Sequence, residues 1–67
     1  MELAVASVKR VMKNAVGQDT PVGVAAVENM IEEVENIITE KTIAAKKLAI
    51  HAGRKGISEE DITLSFQ

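Results

Sequence analysis

The sequence has no cysteine, one proline, one histidine and a single aromatic ring, Phe66. Each scarcity closes off a class of explanation. Without cysteine there is no disulfide and no thiolate for a structural zinc, and His51 has no second ligand at metal-binding spacing. No metal or other cofactor is therefore expected. One ring offers no platform on which the bases of a single strand or an RNA loop could stack. No apolar run approaches the roughly 20 residues of a membrane span. The amino terminus carries Glu2 where a secretory signal wants positive charge, and Lys9 and Arg10 soon interrupt its apolar residues, which predicts an intracellular protein. There is no HExxH and no plausible catalytic triad, and Gly53-Arg54-Lys55-Gly56 is too short for the phosphate loop of an NTPase. Neither an enzyme nor a small-molecule substrate is expected.

What is present has to fold with little material. The 67 residues form one expected domain, 1–67. A chain this size buries only ~60% of the surface its unfolded form exposes. With disulfide and metal excluded, self-association is the remaining remedy.

Periodicity predicts an all-α protein of three helices. From Glu2 to about Ala15, the residues Ala4, Val8, Val11, Met12 and Ala15 recur at helical spacing, with Lys9, Arg10 and Lys13 on the opposite side. Val16 to Asp19 breaks the pattern. Thr20 then reads as an N-cap with Pro21 at the first helical position. From there to about Ala52 runs one long helix whose apolar arc contains Val24, Val27, Ile31, Val34, Ile38, Ala45, Leu48 and Ala52. At 1.5 Å per residue it would be roughly 45 Å long, more than two short helices can cover. A second copy crossing antiparallel near Val34 to Ile38 would cover it, with Val27, Ile31, Val34, Ile38 and Leu48 as the expected dimer core. The helix is acidic early (Glu28, Glu32, Glu33, Glu35, Glu40) and basic late (Lys41, Lys46, Lys47). That order suits the helix dipole and brings opposite charges together across an antiparallel pair. An isolated coiled coil would share this pattern but not the two further helices. Gly53 sits where a left-handed residue would end the long helix. Ser58 reads as the next N-cap, Asp61 completes a capping box, and Ile57 and Ile62 take the positions of a hydrophobic staple. The last helix is expected to run to about Phe66.

Short helix, long helix, short helix, with the stretch His51-Ala52-Gly53-Arg54-Lys55-Gly56-Ile57 leading to Asp61-Ile62, resembles the archaeal histones. The opening Met1-Glu2-Leu3 followed by Arg10 and Lys13 adds to the likeness, which covers the whole chain. The resemblance implies a histone fold, an intertwined handshake dimer, and non-sequence-specific binding and compaction of double-stranded DNA in the cytoplasm, on the chromosome. It implies phosphate contacts from Arg10 and Lys13 on the first helix and Lys55 in the second loop, and an Arg54–Asp61 bridge fixing that loop. Lys9 belongs to the same basic face, and Arg54 has DNA contact as a secondary role. Leu48, His51, Asp61 and Leu64 match positions that join one dimer to the next in such proteins; a histidine favoured by a helix-end dipole accounts for His51 equally well.

The chain also departs from the family. Its first loop reads Gln18-Asp19-Thr20 where relatives carry a minor-groove arginine, and that loop or the start of the long helix looks about two residues longer. Gly56 replaces a threonine, and the last helix stops at Gln67 without a basic tail. These departures suggest weaker DNA binding, or the subgroup with a short last helix in which dimers meet face to face as tetramers. Net charge is −2, yet Lys9, Arg10, Lys13, Arg54 and Lys55 lie outside the long helix. Screening limits the reach of charge to about 8 Å, so local potential matters more than the sum. No element rich in Arg, Asn and Gln is placed to read bases, so backbone contacts should dominate. The alternative is a histone-fold interaction module that pairs with another histone or scaffolds proteins, with little DNA binding of its own.

Overall fold

In the computed structural model, which describes residues 1–67, three helices follow one another with no strand: α1 (Val5–Val16), α2 (Val24–His51) and α3 (Glu59–Ser65). This short, long, short order is the one the resemblance implies. The chain divides into two compact units, 1–35 and 36–67, the boundary falling within α2.

In the first unit, α1 starts at Val5, three residues later than the periodicity suggests. Ala4 is extended and offers no capping side chain. The preceding backbone is held elsewhere: the N–H groups of Glu2 and Leu3 donate to Glu35 Oε2 on α2, at 2.6 and 2.9 Å. These amide bonds, Leu3 first and then Glu2, hold the Glu35 carboxyl below its ordinary pKa. The apolar side of α1 is only partly covered. Val8 and Met12 are half-buried, while Val11 is 69% exposed. On α2, Val27 and Ile31 lie one turn apart and have no solvent exposure at all.

Thr20 and Pro21 do not open the long helix, which begins at Val24. The Thr20 hydroxyl donates instead to the Val16 carbonyl at 3.1 Å, so it caps the end of α1 rather than the start of α2. The first α2 carbonyl is supplied by Gly23, which accepts from Val27 N–H at 3.1 Å.

In the second unit, α2 buries Ala45 and Ala49 and half-buries Lys41, Ala44 and Leu48. The helix then ends in a Schellman motif. Gly53 takes φ +75°, its N–H reaches Ile50 O at 2.9 Å, and Arg54 N–H reaches back to Ala49 O at 2.9 Å. Ser58 caps α3 and forms the full capping box with Asp61. At the other end of α3, the ammonium of Lys41 stands 5.2 Å from the centre of the Phe66 ring, a cation–π contact.

Candidate nucleic-acid interface

The basic residues singled out in the sequence fall into two groups, one in each unit, and the structure treats their members differently. On α1, Lys9 and Arg10 are exposed and engage no acceptor within the chain. Lys13, one turn beyond Lys9, is engaged. Its ammonium donates to the carbonyls of Gln18 and Thr20 at 3.1 and 2.8 Å, both in the loop that follows α1. Two more carbonyls here accept internally: Gly17 O accepts from Thr20 N–H at 3.3 Å, and Val16 O from the Thr20 hydroxyl. Lys13 O accepts from Gly17 N–H at 2.7 Å, with Gly17 at φ 91°, ψ 154°. The ammonium also lies near the carbonyl end of α1, where a cation offsets the helix dipole.

Within 36–67 the second group is built around a buried carboxylate. Asp61 is 1% exposed, and Arg54 forks onto it, Nη1 to Oδ2 at 2.7 Å and Nη2 to Oδ1 at 2.8 Å. Oδ2 further accepts from Ser58 N–H at 2.9 Å and from the Ser58 hydroxyl at 3.1 Å. Ser58 Oγ in turn accepts from Asp61 N–H and from Arg54 Nη1. Each carboxylate oxygen and the Ser58 hydroxyl oxygen accepts from at least one donor, so the charge is buried with hydrogen bonds to both of its oxygens. The guanidinium, then the Ser58 N–H, drives the Asp61 carboxyl far below the usual carboxylate range, and Arg54 is shifted further toward its charged form. Three of the five guanidinium N–H groups are committed here, which leaves two for any other acceptor. The neighbouring Lys55 is exposed and engages nothing in the chain.

Acidic side chains occupy a different part of the first unit. Glu28, Glu32 and Glu33 line an open hollow with Met1, Ala25 and Asn29, a surface that repels phosphate. No cluster of three His, Cys, Asp or Glu is placed to hold a metal ion.

Apolar side chains are also left uncovered, and they are numerous. In the first unit an open groove is lined by Val8, Val11, Met12, Ala15, Met30 and Val34. In the second unit Ile37, Ile38, Ile43 and Ile50 of α2 are each at least 45% exposed. Of the positions expected to form a dimer core, Val27 and Ile31 are therefore already enclosed by their own chain. Val34 and Leu48 are half-buried, and Ile38 is open. Of the four positions that the resemblance assigns to contact between dimers, His51 and Leu64 are exposed and Leu48 is half-buried. Asp61 has almost no surface to offer.

Three partnerships escaped the sequence reading: Lys13 with the loop carbonyls, Glu35 with the amino-terminal amides, and Lys41 with Phe66. A lysine in the last turn of a helix commonly binds nearby carbonyls, so the first was open to inference. The other two join residues far apart in the sequence and carry no local signature.

No curated protein matches the chain. A family does: residues 1–66 match the one described as histone-like transcription factor (CBF/NF-Y) and archaeal histone. With three helices in the expected order and a match over nearly its whole length, the chain belongs to this histone-fold family.

Proposed function

We propose that the protein binds double-stranded DNA without sequence preference, as a dimer, in compacting or organising chromatin. Family membership itself implies a histone-fold function and association with chromatin or the nucleoid, and no helix is long and apolar enough to cross a membrane. The observation that carries the finer reading is the state of Lys9, Arg10 and Lys55: three exposed cations with no acceptor of their own. Cations in that state are available to neutralise phosphates, the main source of affinity for duplex DNA. The uncovered apolar side chains of both units argue for a second copy. Exposed Ile37, Ile38 and Ile43, and the groove along α1, are apolar surface that a second copy would cover.

A second reading has its own support. Net charge −2 and the hollow lined by Glu28, Glu32 and Glu33 favour a histone-fold module that pairs with another histone and touches DNA little. Fluorescence anisotropy on a duplex at several salt concentrations separates the two. Wild type is expected to sediment as a dimer and to bind with log K falling linearly against log salt. The K9E/R10E/K55E variant should lose binding while keeping its helical circular dichroism and its dimer mass. Equal binding by that triple variant would remove these residues from the interface.

A further inference from the structure

We infer that Lys13 serves duplex binding by holding the first loop in shape, and not by touching a phosphate. The inference rests on the duplex-binding reading above and deepens it. By its place on α1, one turn from Lys9, Lys13 looks like one more phosphate contact. Its geometry says otherwise. Two of its three ammonium donors are used on Gln18 O and Thr20 O, on the far side of the turn made by Gly17.

The consequence for the loop is an unusual accounting of polar groups. The carbonyls of Val16, Gly17, Gln18 and Thr20 all accept from inside the chain. Those of Gln18 and Thr20 depend on Lys13 alone. A carbonyl oxygen facing a phosphate repels it, so drawing these oxygens onto an ammonium removes a barrier to approach. The same ammonium offsets the negative end of the α1 dipole at this point. Lys13 is thus a positioning residue: its effect on DNA passes through the loop.

Two measurements on K13M, K13R and K9M test this. The first is amide exchange in the free protein, with no DNA present. Thr20 N–H, held to Gly17 O in wild type, should exchange about tenfold faster in K13M and keep most of its protection in K13R. The second is the salt dependence of duplex binding. K13M should bind about threefold to tenfold more weakly at fixed salt, the scale of the two exposed hydrogen bonds lost at their weak end, with the slope of log K against log salt unchanged. In K9M that slope should shrink by about 0.9 for each Lys9 contact removed, about 1.8 for a dimer that loses both. A similar shrinkage in K13M makes Lys13 a phosphate contact and overturns the inference. Unchanged Thr20 exchange in K13M removes the clamp. Absence of duplex binding by wild type at low salt is a distinct result, which ends the duplex reading whatever the exchange data show.

Discussion

The two loops of this chain are each closed by a basic side chain, and they are closed by different chemistry. After α1, Lys13 spreads one ammonium over two carbonyls, and the acceptors bear no net charge. Between α2 and α3, Arg54 forks onto Asp61, and the two formal charges cancel. The first arrangement leaves its positive charge in place; the second spends it. The fork also belongs to a larger structure, since Asp61 is at once the partner of Arg54 and the third residue of α3, which closes its capping box. Loss of Lys13 therefore loosens one loop, whereas loss of Asp61 opens a loop and uncaps a helix together.

The largest expected effect follows from that overlap. Asp61→Ala removes an acceptor of two guanidinium bonds and two Ser58 bonds from a site with 1% exposure. Thermal unfolding followed by circular dichroism should show Tm lowered by about 10 °C or more. A loss no greater than that of Lys13→Met would erase the contrast between the loops.

The glycines of the two loops sharpen the contrast at a smaller scale. Gly17, at φ 91° and ψ 154°, occupies a region essentially confined to glycine, while Gly53, at φ +75°, is in the left-handed helical region that other residues enter at a modest cost. An added Cβ meets nothing within 4 Å at either position, so backbone strain alone sets the difference. Gly17→Ala should destabilise by about 1–3 kcal/mol and Gly53→Ala by about 1 kcal/mol, read from urea midpoints at constant m. The reverse order would mean that the first loop relaxes out of its strained turn.

The smallest effect is one of pH. Because the folded pKa of Asp61 is depressed, its stabilising contribution is complete above the unfolded value and is lost only as pH falls through the lower, folded one. The Ser58 amide, which donates to Asp61, should keep its NMR shift through pH 4, where ordinary carboxylates take up protons. A Ser58 amide that moves near pH 4 would show Asp61 to be an ordinary carboxylate.

The same pair of loops shows what the sequence made legible. Around the second, every signal was local: Gly53 for the left-handed turn, Ser58 and Asp61 three apart for the cap, and α3 starts at Glu59 as those residues imply. Around the first, local signals pointed the wrong way. Thr20-Pro21 has the composition of a helix start, but the Thr20 hydroxyl and carbonyl were taken by Val16 and Lys13, and α2 begins only at Val24. α1 begins late for a similar reason, because Glu2 and Leu3 give their amides to a residue more than thirty positions away. The long helix itself was plain from its period. What periodicity could not tell was which apolar residues the chain would enclose unaided: Val27 and Ile31, but not Ile38.

Phe66 is the only phenyl ring in the molecule, and it lies beneath the Lys41 ammonium at the close of α3. In a protein without tryptophan or tyrosine, its ring protons share the aromatic region of a carbon-bound proton spectrum with those of the His51 imidazole alone. Their position depends on whether the last helix is docked on the shaft of α2 or swung away. The chain thus carries its own reporter for the motion of its carboxyl-terminal end, and no label has to be introduced to watch that end respond to salt, to DNA or to another copy of itself.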